Sequence, residues 1–204
     1  MIAIVDYGVG NLFSLCSSFK KIGADVIVAS KKEVIENAQK IILPGVGAFE
    51  DAAKKLRETG LGDVVKAQAK AGKYMMGICL GMQMLLDKSF EYGEHEGLGL
   101  ISGNVTPIKG FVRPDLKIPH IGWNGLHFKR EHFLFKYIKE GDHAYFVHSF
   151  HATDCEKDVI ATTEYDKELT AAIGKENVLG CQFHPEKSGD VGLNILRAFV
   201  EQKD

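Results

Sequence analysis

The chain has 204 residues, 45% hydrophobic and 25% charged, enough to bury one substantial core. Its 25 basic and 27 acidic residues give a formal net charge of -2, so no overall field steers it toward nucleic acid or an anionic membrane. No apolar run approaches the roughly 20 residues of a membrane span, and "MIAIVDYGVG" lacks a basic leader, which reads as a cytoplasmic protein.

In chain order, "IAIVDY" (2–7) reads as a strand and "NLFSLCSSFKKIG" (11–23) as a helix capped by Asn11. "DVIVAS" (25–30) is a second strand, followed by a short polar connection and a third strand, "KIILPG" (40–45). Helical patterns follow at "FEDAAKKLRETG" (49–60) and "LGDVVKAQAKAG" (61–72), then a strand at "KYMMGIC" (73–79). This alternation predicts an α/β fold, with a mainly parallel central sheet and helices on both faces.

From Leu98 the texture changes. "LGLISGNVTPIKG" (98–110), "HAYFVHSFHATD" (143–154), "DVIATTEYD" (158–166), "LTAAIGKE" (169–176) and "NVLGCQFHP" (177–185) are closely spaced strand candidates. They are expected to add antiparallel strands to the sheet in the C-terminal half. A last helix, "GLNILRAFVEQ" (192–202), closes the chain. With no repeat, low-complexity tract or linker, one domain over residues 1–204 is expected.

Four cysteines, Cys16, Cys79, Cys155 and Cys181, are scattered without a C-x-x-C pair, so neither a disulfide framework nor structural zinc is expected. Cys79 has a special setting. Gly77, Cys79 and Gly81 form G-x-C-x-G where a strand turns into a helix, the cysteine version of a nucleophile elbow. The turn lifts the thiol clear of the sheet as a partly exposed group, and the helix N-terminus favours a thiolate. The N–H of Leu80 points toward an oxyanion formed when the thiolate attacks a carbonyl. A buried cysteine in a tight turn is the alternative on this motif alone. Cys16 and Cys181 read as core.

A second motif ends a strand at His184, Pro185 and Glu186. Proline keeps the residue before it extended, and positions two apart in an extended segment share a side, so Glu186 is expected to orient His184 toward Cys79. Base, orienting carboxylate and thiol complete a triad. "IILPGVGAF" runs a strand into Pro44-Gly45-Val46-Gly47, whose backbone N–H groups are candidates to line the cleft. Gly8 and Gly10 in "IVDYGVGN" suggest a dinucleotide-binding turn, but the third glycine and the acidic ribose ligand are missing. His148 and His151, three apart on one strand, would face opposite ways and read as ordinary sheet histidines, with no metal. Trp123, the single tryptophan, is either a core anchor or an exposed contact.

"VDYGVGNLFSL", "LPGVGAFEDA", "GICLGMQMLL", "PHIGWN", "YFVHSFH" and "QFHPEKSG" together resemble the class I, triad-type glutamine amidotransferases along nearly the whole chain. The resemblance implies a flavodoxin-like fold, no cofactor, and L-glutamine as substrate. It makes Cys79 the nucleophile, His184 the general base and acid, and Glu186 its orienting carboxylate. It gives Leu80 and Val46 as backbone oxyanion donors, and Gly47, Gln83, Glu91, Ser149 and Phe150 as substrate-binding positions, although tyrosine is more familiar than phenylalanine at the last.

Within the family, the likeness is to glutaminase subunits that serve a barrel-shaped cyclase subunit in histidine biosynthesis. Met82 fits that branch, since many other members carry histidine there. The first strand begins at Ile2 and the last helix ends near the C-terminus, so the acceptor site is expected on that second chain. The resemblance nominates Asn11, Trp123, Asn124, Tyr145 and Lys187 as the surface facing it. A glutaminase serving pyridoxal phosphate synthesis, a stand-alone cysteine γ-glutamyl hydrolase and an inactive interaction module are the alternatives.

Overall fold

The computed structural model describes residues 1–203; Asp204, the last position of the expected domain, lies outside the described residues. The N-terminal part runs β1 (Ile2–Val5), α1 (Leu12–Lys21), β2 (Val26–Ala29), α2 (Lys32–Asn37), β3 (Lys40–Leu43), α3 (Phe49–Thr59), α4 (Leu61–Lys70), β4 (Met75–Ile78) and α5 (Leu80–Met84). There follow β5 (Lys88–Ser89), β6 (His95–Glu96), β7 (Asn104–Pro107), β8 (His120–Gly125), β9 (His127–Phe128), β10 (His143–His148) and β11 (Phe150–Thr153). The chain continues through β12 (Val159–Tyr165), β13 (Lys167–Lys175) and β14 (Val178–Cys181) to α6 (Gly189–Glu201).

The central sheet has the order β2-β1-β3-β4-β14-β13-β12-β9. Its first five strands are parallel, and β13, β12 and β9 continue it antiparallel. Alternation along the parallel strands explains the two cores. Ala3, Val5, Ile41, Leu43 and Met75 face one layer with Ile35, Phe49, Leu56 and Val65 from α2, α3 and α4. Ile2, Ile4, Ile42, Met76 and Ile78 face the other, against Leu15 and Phe19 of α1 and Ile195, Leu196 and Phe199 of α6. A strand buried on both faces reads as a near-continuous apolar run, which is why Ile41, Ile42 and Leu43 and "MMGI" show no polar alternation; Lys40, buried at the start of β3, is held by the Phe199 carbonyl at 2.7 Å.

Three expectations are corrected. The connection between β2 and β3 contains the short helix α2, which buries Ile35. The segments at 98–110 and 143–154 do not join the central sheet. β7 and β11 pair antiparallel in a four-stranded sheet of order β11-β7-β5-β6, and β10 pairs with β8 in a ribbon of its own. Cys16 is only half-buried at the edge of the core, while Cys155 and Cys181 are buried.

Candidate active site

Cys79 sits between β4 and α5 with φ 55 and ψ -113, a left-handed backbone rare for any residue but glycine. Such strain persists only where surroundings over-determine it. Here the Cys79 N–H donates to the Cys181 carbonyl at 2.8 Å, while close packing removes room on both sides. A Cβ on Gly81 would lie 1.9 Å from the Leu43 carbonyl, and one on Gly77 would lie 2.5 Å from the Gly81 carbonyl. Both glycines of the motif are therefore required by backbone approach, the first layer of the elbow's construction.

Two details differ from expectation. Cys79 is only 7% exposed and packs within the second core layer. The helix that follows spans just Leu80–Met84, so the N–H groups of its first turn, rather than a long helix dipole, supply the local positive potential. Leu80, as first residue of α5, has no carbonyl within its helix to bond.

His184 is extended at φ -98 and ψ 98, as its proline neighbour requires. Glu186 reaches it differently from the expected continuation of a strand, because Pro185–Lys187 form a 3-10 turn. The carboxylate is nevertheless 2.8 Å from His184 Nδ1, with its side chain only 1% exposed. That bond makes Nδ1 the donor and leaves Nε2 for the thiol. Burial opposes a charge on His184, yet its hydrogen bonds to Cys79 and Glu186 lift its pKa to about 9. The His184 backbone is held as well: its N–H donates to the Tyr145 carbonyl at 2.9 Å, and its carbonyl accepts from Ser188 Oγ at 2.7 Å.

A cleft of about 300 Å³ opens onto Cys79 and His184. Val46, Gly47, Leu80, Gln83, Glu91, Ser149 and Phe150, all singled out in the sequence, line it together. Gln83 and Glu91 already have partners. Gln83 Nε2 donates to the Phe150 carbonyl at 3.1 Å and to Gln182 Oε1 at 2.9 Å. Glu91 Oε2 accepts the Phe49 N–H at 2.6 Å, capping α3. Val46 is 41% exposed, and Gly47 takes φ 92, a conformation that suits glycine, so the loop beside the thiol carries little packing at its tip.

Pro119, Val147 and His148 also line this cleft and were missed as site residues, since nothing local separates them from sheet positions. Gln182 was missed too; its Nε2 lies 3.7 Å from Cys79 Sγ. His148 and His151 lie in successive strands, β10 and β11, and both are buried.

The remaining nominated residues lie on or near the surface. Asn11 caps α1 through its side chain, which accepts the Ser14 N–H at 3.4 Å. Trp123 is 53% exposed, opposite Tyr145 in the β8–β10 ribbon, with their ring centroids 5.9 Å apart. Lys187 Nζ stands 5.7 Å from the Tyr145 ring, so three of the five residues form one cluster, and Lys187 directly follows Glu186 in the chain. Asn124 is half-buried in the same ribbon.

Residues 3–203 match the family model described as glutamine amidotransferase class-I. The chain belongs to the class-I glutamine amidotransferase family. Among relatives of this amidotransferase, a protein of Caldanaerobacter subterraneus subsp. tengcongensis named imidazole glycerol phosphate synthase subunit HisH is 49% identical, covering 98% of each chain. The similarly named Sulfurimonas denitrificans protein is 48% identical over 100% of this chain and 99% of that protein. The one from Geobacillus thermodenitrificans is 46% identical over 98% and 95%. A solved glutamine amidotransferase shares the fold with a TM-score of 0.77 at 22% identity, covering 98% of both chains. PurLQS from Thermotoga maritima shares it with a TM-score of 0.74 at 20% identity, covering 98% of this chain and 96% of that one.

Proposed function

We propose that this chain is the glutaminase subunit of an imidazole glycerol phosphate synthase. It hydrolyses L-glutamine to glutamate and ammonia, and hands the ammonia to a cyclase subunit in histidine biosynthesis. The cyclase converts a phosphorylated ribulosyl carboxamide nucleotide to imidazole glycerol phosphate and an aminoimidazole carboxamide ribonucleotide. The observation that carries the reading is a strained elbow cysteine bonded to a carboxylate-oriented histidine, in a chain near half identical to relatives of that name along its length.

In this reading Cys79 Sγ, its proton taken by His184 Nε2, attacks the carbon of the glutamine side-chain amide. The N–H groups of Leu80 and Val46 stabilise the tetrahedral oxyanion, a contribution of about a hundredfold to a thousandfold per donor. His184 returns the proton to the departing nitrogen, and ammonia leaves a γ-glutamyl thioester. A water that gives a proton to His184 then hydrolyses the thioester, releasing glutamate and the free thiol. Glu186 holds the ring and stabilises its charged form.

Gly47, Glu91, Ser149 and Phe150 hold the substrate. Gln83 contributes mainly by fixing the Phe150 carbonyl, since its amide nitrogen is already shared between two acceptors. Asn11, Trp123, Asn124, Tyr145 and Lys187 face the cyclase. No helix among the described residues is long and apolar enough to cross a membrane.

The test is a glutaminase assay of the chain alone, then with the cyclase subunit and its nucleotide. Glutamate release should be slow alone and rise on adding the loaded partner. Equal rates in both conditions would favour a stand-alone hydrolase; no release in either would sink the reading.

A further inference from the structure

A second pair of histidines lies beside the site, and its hydrogen bonds do not balance with neutral rings. His120 Nδ1 and His148 Nε2 are 3.0 Å apart in the buried space between β8 and β10. The outer nitrogen of each ring has an identified partner. Asn124 Nδ2 donates to the Glu164 carbonyl at 2.9 Å, which fixes the amide so that Oδ1 is the atom facing His120 Nε2, at 2.9 Å. An amide oxygen only accepts, so His120 Nε2 must carry a proton. His148 Nδ1 is 2.8 Å from the Phe150 carbonyl, which also only accepts, so it must carry one too. A neutral imidazole has a single N–H. Two neutral rings would therefore point lone pairs at each other across 3.0 Å.

One additional proton between the two facing nitrogens makes every contact in the chain a hydrogen bond. We propose that His120 and His148 are positioning residues that share this proton, and that the shared proton ties Asn124, near the partner-facing surface, to the Phe150 carbonyl in the glutamine cleft. The tie continues inward. The same carbonyl accepts from Gln83 Nε2 at 3.1 Å, Gln83 Nε2 also donates to Gln182 Oε1 at 2.9 Å, and Gln182 Nε2 lies 3.7 Å from the nucleophilic sulfur. This inference rests on the reading of that cleft as the glutamine site.

The surroundings make the proton easy to lose. Burial opposes charge on both rings, and His151 and His184 face His148 with further positive potential. Tyr165 of β12 stacks on His120 with centroids 4.2 Å apart, and among the described residues no carboxylate bonds either ring. Support for the charged form comes from the Phe150 carbonyl and the Asn124 amide oxygen. Below its midpoint the pair holds the proton and the tie is closed; above it the proton goes to solvent and the junction becomes repulsive. The two rings bind that proton as one unit.

The experiment is an NMR titration of the full chain with nitrogen-15 in its histidine rings and glutamine side chains, in the parental protein and in Asn124→Asp. His120 Nε2 and His148 Nδ1 should stay protonated throughout, while the facing nitrogens titrate together with uptake of one proton. The Gln83 side-chain amide should shift at the same midpoint, because it shares the Phe150 carbonyl. A carboxylate at position 124 should raise that midpoint by about one pH unit or more. A neutral ring found with its only proton on a facing nitrogen, two independent midpoints, or a Gln83 amide that ignores the titration would overturn the proposal. None of these readouts requires turnover, so they separate failure of this inference from failure of the glutaminase reading.

Discussion

Tyr7 donates its phenolic hydroxyl to the carbonyl of Pro44 at 2.7 Å, inside the core and immediately ahead of the Gly45-Val46-Gly47 loop. Burial and the proximity of Cys79 push the phenol pKa well above its ordinary value, which keeps it a donor. The bond anchors the strand side of a loop whose tip, at Val46, is exposed. A Cβ on Gly10 would lie 3.1 Å from the Pro44 ring, so the loop carrying Asn11 packs against the same anchor.

Tyr7→Phe keeps the ring and removes the hydroxyl. It should leave the buried Pro44 carbonyl unbonded and destabilise the fold by about 1–3 kcal/mol. Because Val46, the proposed oxyanion donor, sits two residues on, kcat should fall roughly tenfold while KM for glutamine stays near the parental value. Denaturant unfolding and steady-state glutaminase kinetics check the two parts, and an unchanged kcat would release Tyr7 from this role.

Glu186→Gln removes the carboxylate that His184 Nδ1 bonds. The activity loss should be about tenfold to a thousandfold, smaller than for His184→Ala, since the carboxylate orients the base and does not react. Its stability effect has a defined sign. The folded-state pKa of His184 is about 9, above the ordinary 6.5, so its contribution is complete below about pH 6.5 and is lost as pH rises through 9. The parental protein should therefore exceed the variant in stability most at pH 6, with the gap narrowing toward pH 9. A gap that widened with pH would contradict the assignment of a charged His184.

The elbow and the His-Pro-Glu run were legible in the sequence because each is local: glycines two residues either side of a cysteine, and a proline that holds its neighbour extended. The parallel half of the sheet was legible for the same reason, since Ile41, Ile42 and Leu43 in succession fit a strand covered on both faces. What was not legible depends on pairing at long range. β8 was missed because "HIGWNG" carries two glycines and no regular alternation, and only its pairing with β10 makes it a strand. α2 was missed because Lys32–Asn37 is a short helix that fully buries only Ile35, with Val34 packed partly against the core. Gln182, Tyr7 and the His120–His148 pair acquire their meaning from partners 103, 37 and 28 residues away.

Trp123 is the sole tryptophan and 53% exposed beside Tyr145 and Lys187, so the chain's intrinsic emission reports on this surface. Adding the cyclase subunit should shift that emission to shorter wavelength as the ring leaves water. Trp123→Ala should change the stability of the isolated chain by no more than about 0.5 kcal/mol, as is usual for an exposed side chain. The same change should weaken the complex by about tenfold or more, as expected for a buried aromatic anchor. Emission that did not respond to a partner shown to bind by another method would remove Trp123 from the interface.

The central claim is that Cys79 Sγ is the nucleophile that attacks glutamine's amide carbon, and covalent labelling tests it most directly. A glutamine analogue carrying an electrophile in place of the amide should modify the parental chain once, and peptide mass mapping should find the adduct on Cys79. Cys155 and Cys181 are buried, burial raises the Cys155 thiol to about 11 and the Cys181 thiol well above its ordinary value, and Cys16 is raised as well. None of the three has the histidine partner that Cys79 has in His184. Excess glutamine should protect against labelling, and His184→Ala should slow it. An adduct mapped to Cys16, Cys155 or Cys181, or labelling of Cys79 that glutamine does not slow, would contradict the account.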